Sequence, residues 1–194
     1  DLHVRSRRQR QMCIRDRVYT YDEVIKMKIA IVFDSHTGNT KKVANVIKEA
    51  CINEEVVYFG EPQTFSDADL IFIGSWTDKG NCSQKIQNFI TTLSNEKIAF
   101  FATAGFGGST EYYDKLAERF DNVVNTNNKI LGHFFCPGKM PLSIRDRYVK
   151  MIQEHPEDKQ LQVSIDNFDA ALSHPDTNDL ENAKKYALEM IAKV

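Results

Sequence analysis

The sequence lacks several features that would assign it to a common class of protein. No apolar run approaches the length of a membrane-spanning helix, and the N-terminus has no apolar segment followed by a small-residue cleavage site. The cysteines Cys13, Cys51, Cys82 and Cys136 are widely spaced and form no C-x-x-C pair, which argues against a zinc site and a disulfide scaffold. These absences predict a cytoplasmic protein with free thiols and no membrane association.

Two common nucleotide-binding motifs are also missing. The chain has no G-x-x-x-x-G-K-[ST] motif, so a nucleoside triphosphate site with magnesium is not expected. It has no G-x-G-x-x-G motif, so a dinucleotide pyrophosphate is not favoured. The histidines His133, His155 and His174 show no metal-ligand spacing, and no metal site is predicted.

Charge is spread unevenly along the chain, whose net charge is -2. Residues 1–26 contain seven Lys and Arg against four Asp and Glu, whereas residues 27–194 contain 18 against 23. The acidic body argues against nucleic acid binding and is compatible with docking a basic protein partner.

The first 26 residues differ from the rest of the chain, because arginines crowd a stretch with little apolar periodicity. They are interpreted as a disordered basic tail, as an arm that binds nucleic acid or membrane, or as a non-native extension before a start at Met27. The segment Gln11–Arg17 resembles translated adapter sequence, which favours the last interpretation. Residues 27–194 are therefore expected to form one domain, and residues 1–26 are left out of the fold prediction.

The most informative segment runs from Asp34 to Thr40, between an apolar run rich in β-branched residues and a segment with helical periodicity. A strand, a hydroxyl-rich turn and a helix start form an anion cradle, because the free N–H groups of the first turn and the helix dipole favour negative charge. Ser35, Thr37 and Thr40 offer hydroxyl donors, and Gly38 permits close backbone approach. The alternative is a well-capped helix that binds nothing.

Strand-like and helical segments alternate through the body, which predicts an α/β protein with a parallel sheet. The predicted strands are 28–33, 55–59, 68–74, 97–102 and 130–136. The predicted helices are the one that follows the Asp34–Thr40 turn, with Val43, Val46, Ile47, Ala50 and Cys51 at helical spacing, and those at 83–93, 110–120 and 179–194. Residues 137–177 are predicted to form an additional, mainly helical insertion before the last helix, either as a cover for an edge or face of the sheet or as a partner-docking or substrate-facing element.

The segment Ser35-His36-Thr37-Gly38-Asn39-Thr40 closely resembles the phosphate loop of flavodoxins. The resemblance implies a flavodoxin-like doubly wound sheet of five parallel strands, in the order 2-1-3-4-5, with FMN bound beyond the carboxyl ends of strands 1 and 3. It does not predict the oligomeric state.

The resemblance also implies two loops that hold the flavin ring. The first supplies Ser75, Trp76, Thr77 and Gly80, with Trp76 as the stacking ring and Gly80 facing the flavin nitrogen N5, although Lys79 stands where an aromatic is usual. The second loop supplies Thr103, Ala104, Gly105, Phe106, Gly107 and Gly108, followed by Tyr112. The alternatives are that Trp76 packs at the edge of the core and that the second loop is a surface turn.

The function that the resemblance implies is electron transfer by bound FMN, with no catalytic residue of the chain's own. The segments 76–80, 103–108, 138–141 and 171–175 are similar to a short flavodoxin-like group encoded beside gut bacterial bilirubin reductases, which implies a flavoenzyme reductase as redox partner. The alternatives are an FMN-dependent NAD(P)H:quinone oxidoreductase and a flavin-less interaction module on the same fold.

Overall fold

The computed structural model describes residues 26–106 and 109–194. The N-terminal extension up to residue 25 and the loop residues Gly107 and Gly108 lie outside the described residues, and the predictions made for them stay predictions. In chain order the elements are β1 (Lys28–Phe33), α1 (Asn39–Ala50), β2 (Glu55–Gly60), β3 (Leu70–Asp78), β4 (Asn81–Cys82), α2 (Gln84–Ile90), β5 (Lys97–Ala104), α3 (Thr110–Asp121), β6 (Lys129–Pro137), α4 (Leu142–Glu154), α5 (Lys159–Ala171) and α6 (Thr177–Ile191).

The long strands form one parallel sheet in the order β2-β1-β3-β5-β6. This is the predicted 2-1-3-4-5 arrangement, and the fold class is confirmed. The short strand β4 is an addition, because it pairs antiparallel with the end of β3 to form a hairpin. Strand order reverses between β1 and β3, so the loops that follow these two strands diverge and leave a crevice at the carboxyl edge of the sheet.

Alternation along the central strands builds a core on each face of the sheet, because successive side chains of a strand point to opposite sides. From β1, Ile29, Ile31 and Phe33 face a layer that includes residues of α1 and α6. Ala30 and Val32 face the other layer, which includes residues of α2 and α3. Helices cover both faces of the sheet, which explains why the sequences of the central strands are continuous apolar runs.

Two predicted strand ends are wrong, and both corrections matter for the site. Ser75–Asp78 was predicted as loop but continues β3, because Thr77 and Asp78 pair with β4. Thr103 and Ala104 were likewise predicted as loop but belong to β5, where they pair with Cys136 and Pro137 of β6. In each case the strand continues past the apolar segment from which it was predicted, through residues that are mostly polar or small.

The insertion contains two helices, α4 and α5, which pack against each other. Helix α4 has no buried residue, whereas α5 buries one face, including Phe168. The last helix begins at Thr177, slightly earlier than predicted, because Asp176 and Asp179 form a reciprocal capping box at its N-terminus.

In the described part of the chain no helix is long and apolar enough to cross a membrane. Cys51, Cys82 and Cys136 are free and buried. Burial raises the pKa of Cys51 and of Cys82 to about 12, and it also raises the pKa of Cys136. These thiols are therefore protonated and unreactive at neutral pH, since the thiolate is the nucleophile.

Replacement of Phe100 by Ala is expected to destabilise the protein by about 3–5 kcal/mol. Phe100 is fully buried, and its ring meets Phe120 edge to face at 5.6 Å, so truncation leaves a cavity in the core. Urea unfolding followed by circular dichroism measures the change. Ile52→Ala is the control, because Ile52 is 80% exposed and its truncation is expected to change stability by about 0.5 kcal/mol or less.

Candidate ligand cavity at the carboxyl edge of the sheet

A cavity of about 590 Å³ lies where β1, β3, β5 and β6 end. Its size is that of a small-molecule site. The lining residues come from every loop at this edge and from the start of the insertion: His36, Thr37, Asn39, Trp76, Thr77, Lys79, Gly80, Thr103, Gly105, Phe106, Tyr112, Arg119, Gly138, Lys139, Met140, Pro141 and Ile144. A larger opening of about 740 Å³ lies between the β2–β3 connection and α2, on a different part of the surface.

The β1–α1 turn holds its shape through Gly38 and Asn39. Gly38 has φ 86°, a left-handed conformation that glycine adopts without steric cost, and α1 begins at the next residue. The buried Asn39 amide donates from Nδ2 to Thr37 Oγ1 and to the Lys139 carbonyl, each at 2.8 Å. These two bonds fix which end of the amide is the donor, and Oδ1 is left buried with no partner among the described residues.

The three predicted hydroxyl donors have different surroundings. Thr37 lines the cavity, and its oxygen accepts from Asn39, so its own proton remains available to a ligand. Ser35 Oγ accepts from the Lys41 N–H at 3.2 Å. Thr40 is buried, and its oxygen lies 3.0 Å from Thr103 Oγ1, in a bond that either hydroxyl can donate.

Trp76 stands on the strand end, half-buried in the cavity wall. Its Nε1 donates to Asp34 Oδ2 at 2.9 Å, and its ring lies 5.4 Å from that of His36 at an angle of 35°. Asp34 is in turn 3.7 Å from Lys85 Nζ. The indole is thus anchored by its polar edge, which leaves part of its apolar surface to the cavity.

The β3–β4 hairpin turn consists of Lys79 and Gly80, both with positive φ, 49° and 77°. Two-residue hairpins favour this arrangement, although Asn or Gly is usual at the first position. Arg119 of α3 donates from Nη1 to the Gly80 carbonyl at 2.9 Å. A side chain at Gly80 would therefore be strained by φ and would collide with the Arg119 guanidinium.

The second predicted ring loop begins inside β5 and then turns toward the insertion. Thr103 and Gly105 line the cavity, and a side chain at Gly105 would collide with Met140. Phe106 also lines it, with its ring 6.5 Å from that of Tyr148 on α4. Burial raises the pKa of Tyr112, and a hydrogen bond with Thr77 and the charge of Arg119 lower it in part.

Most of the predicted site residues meet at this one cavity. His36, Thr37, Asn39, Trp76, Thr77, Gly80, Thr103, Gly105, Phe106 and Tyr112 line it, whereas Ser35, Gly38, Thr40, Ser75 and Ala104 lie outside the lining. Ser75 is fully buried and bonds the Ser83 N–H, which positions the start of α2. The remaining predictions, Gly107 and Gly108, fall outside the described residues.

Sequence reasoning missed the part of the lining that comes from other segments: Lys79, Arg119, Gly138, Lys139, Met140, Pro141 and Ile144. The signal for Gly138–Pro141 was its compact Gly-Lys-Met-Pro composition directly after β6. Gly138 is buried, and a Cβ there would lie 2.9 Å from Asn39 Nδ2 and 3.1 Å from Thr103 Cβ. Arg119 carried no signal, because an arginine in an exposed helix is ordinary.

His174, Asp176 and Asp179 form a polar cluster at the start of α6, with potential ligand atoms within 4.8 Å of one another. Asp179 accepts from the Asp176 N–H at 2.9 Å and lies 2.5 Å from His174 Nδ1. The cluster therefore has a structural use as the cap of α6.

The parallel sheet covered on both faces, with its cavity at the point where strand order reverses, defines a doubly wound α/β protein with a cavity at the switch point, where ligands of such folds bind. The family model described as flavodoxin domain matches residues 30–188, and the chain belongs to that family. Two relatives are proteins named flavodoxin-like domain-containing protein BilS. The one from Clostridium symbiosum is 33% identical over 183 residues, which cover 85% of this chain and 96% of the relative. The one from Clostridioides difficile is 30% identical over 174 residues, and the alignment covers 86% of this chain and 98% of the relative.

Solved structures share the fold at low sequence identity. A flavodoxin from Streptococcus pneumoniae TIGR4 aligns with a TM-score of 0.51 at 17% identity and covers 86% of this chain and 99% of its own. A flavodoxin described as WrbA-like, from Agrobacterium tumefaciens, aligns with a TM-score of 0.52 at 11% identity. This alignment covers 87% of the present chain and 97% of the flavodoxin. At these identities the likeness concerns the fold alone.

We expect Gly138→Ala to weaken the affinity for FMN, the ligand that the sequence resemblance implies, by tenfold or more. The new Cβ presses on the Asn39 amide and disrupts its bond to Lys139. Fluorescence titration of the apoprotein measures the affinity. Gly60→Ala is the matched control, because its Cβ would meet a side chain at the same 2.9 Å, Tyr58 Oη, outside the cavity lining. Equal FMN affinity in both variants would contradict the assignment of Asn39 to the site.

Proposed function

We propose that the chain binds FMN in this cavity and serves as an electron carrier. The observation that carries the proposal is the meeting, in one cavity, of a hydroxyl-rich helix start and an aromatic-lined slot. When bound, FMN accepts and releases one or two electrons. The residues of the chain bind it, orient it and exclude water from it.

The β1–α1 turn fits a phosphate monoester at one end of the ligand. The N–H groups of Asn39 and Thr40 open α1 and have no intrahelical acceptor, so they and the helix dipole attract an anion. Thr37 adds a hydroxyl proton.

The other end of the cavity fits a planar apolar ring. Trp76, Phe106 and Tyr112 contribute aromatic surface, and Ile144 of the insertion completes the wall. Offset stacking on such rings orients a flat heterocycle and keeps water from its faces. Because Trp76 is anchored to Asp34, its ring is positioned before the ligand arrives, which lowers the entropic cost of binding.

We propose a flavoenzyme that reduces a tetrapyrrole such as bilirubin as the recipient of the electrons. The support is the sequence similarity to a group encoded beside bilirubin reductases and the identity of 30% or more with the two BilS proteins.

Steady-state NAD(P)H oxidation by the purified protein tests the competing reductase function. A carrier oxidises NAD(P)H only when a separate reductase is added, so unaided turnover would contradict this part of the proposal.

FMN is expected to bind far more tightly than riboflavin. Thr37→Ala is expected to weaken the binding of FMN and to leave the binding of riboflavin unchanged. A hydrogen bond to a charged group contributes about 1.5–3 kcal/mol, so the loss of one such bond lowers the affinity for FMN about 10- to 150-fold. Quenching of the single tryptophan, Trp76, reports binding of either ligand. Thr91→Ala is the control, since Thr91 lies exposed at the end of α2. If Thr37→Ala weakened both ligands equally, the phosphate would have to bind elsewhere.

A further inference from the structure

The mouth of the cavity carries positive charge on a protein whose body is acidic. Lys79, Arg119 and Lys139 line the cavity and are exposed, and no Asp or Glu is among its described lining residues. Residues 27–194 nevertheless contain 18 basic residues against 23 acidic ones. The charged side chains that line the mouth are thus opposite in sign to the net charge of the body, and local charge steers association.

The backbone holds two of these cations in place. Lys79 adopts φ 49°, which costs a non-glycine residue about 1 kcal/mol or more, and Asn, Asp or Gly is the usual residue for this turn position. Arg119 bonds the carbonyl of the neighbouring Gly80 at 2.9 Å. A lysine kept in an unfavourable conformation, beside an arginine bonded to the same turn, indicates a use for charge at this tip.

The third cation, Lys139, comes from the segment after β6 and has a fixed backbone. The Lys139 carbonyl accepts from Asn39 at 2.8 Å, and its N–H donates to the His174 carbonyl at 3.1 Å. Its side chain remains exposed. Lys139 therefore presents its charge from the insertion, while Lys79 and Arg119 present theirs from the hairpin and α3.

The carboxylates near the mouth leave these charges uncompensated. No ion pair joins Lys79, Arg119 or Lys139 to a carboxylate within residues 26–106 and 109–194. Asp34 is only 8% exposed, lies behind Trp76 and is close to Lys85. Asp78 is exposed on the hairpin but does not line the cavity.

An apolar contact point adjoins the cations. Leu142, the first residue of α4, is 67% exposed and follows the lining residues Met140 and Pro141. Protein interfaces commonly combine such an apolar contact with a charged rim that sets orientation and association rate.

We infer that the cavity mouth, defined by Lys79, Arg119, Lys139 and Leu142, docks a partner protein through a surface rich in Asp and Glu around an apolar contact. The inference rests on the proposed function as an electron carrier, because a carrier must bring its cofactor close to that of the partner. It reverses the expectation of a basic partner that the net charge suggested. The docked partner approaches the same opening through which the cavity is reached.

The first experiment maps the surface with peptides that need no bound flavin for their readout. Hexaglutamate or hexalysine is titrated into the ¹⁵N-labelled protein at low ionic strength, and backbone amide shifts are followed. Hexaglutamate is expected to shift amides at 76–82, 138–144 and around Arg119. The variant Lys79→Gln/Arg119→Gln/Lys139→Gln should lose affinity for it by at least about fivefold. The matched control, Lys28→Gln/Lys129→Gln/Lys185→Gln, removes the same charge from exposed positions outside the cavity lining. This variant should retain the affinity for hexaglutamate.

The second experiment uses dithionite-reduced, FMN-loaded protein and two small oxidants, anionic ferricyanide and cationic hexaammineruthenium(III). Each complex takes one electron from the reduced flavin, so two are consumed for each flavin reoxidised. The ferricyanide rate is expected to fall as salt rises and to fall in the triple mouth variant, with the ruthenium rate changing in the opposite direction.

Hexalysine binding at the mouth, absence of any hexaglutamate shift there, or equal loss in the control variant would overturn the inference. Binding of the mouth to vesicles of phosphatidylserine and phosphatidylcholine without hexaglutamate binding would also overturn it, in favour of a membrane surface. A protein that binds no FMN contradicts the proposed function, while the peptide map still tests the docking surface. The two failures are therefore distinguishable.

Discussion

The geometry of the site depends on one buried amide. Asn39 joins the β1–α1 turn to the start of the insertion by bonding Thr37 and the Lys139 carbonyl, across 100 positions of sequence. The neighbouring Gly138 N–H bonds the Ala104 carbonyl at the end of β5. Three segments that are remote in sequence are thus held in one arrangement around the buried Asn39 amide, and a buried polar group without its partner is costly. The same constraint explains why a glycine stands at 138, where a Cβ would press on the amide.

The sheet and the site have different physical origins. The sheet follows from burial on both faces, which any set of apolar strands of suitable length provides. The site begins where the apolar segments of the strands end, because β3 and β5 continue through Ser75–Asp78 and Thr103–Ala104. In this region hydrogen bonds and charges determine the geometry, including the bond from Trp76 to Asp34 and that from Arg119 to Gly80. The acidic composition of the body therefore does not describe the field at the cavity, whose exposed lining is cationic.

The fold was largely predictable from sequence because its signals are local. Short continuous apolar runs marked the parallel strands, and the turn from Asp34 to Thr40 marked one end of the cavity. The hairpin was missed because a lysine with positive φ has no sequence signal and because β4 contains only Asn81 and Cys82. Arg119 and Lys139 were missed because their relation to the site is a tertiary contact. Polar residues that serve a site through distant partners, such as Lys139 with Asn39, do not show periodicity.

Helix α4 supplies one wall of the cavity through Ile144 and yet buries no residue in the described chain. Its contacts are mainly those with α5 and the edge-to-face contact of Tyr148 with Phe106, because the partly exposed Arg145–Asp169 ion pair contributes little. Amide hydrogens of α4 should consequently exchange with solvent through local openings that leave the sheet intact, since regions with few buried contacts open at low free energy. Displacement of this helix alone then opens one wall of the cavity, so access to the cavity becomes a property of the insertion, independent of the global unfolding of the domain.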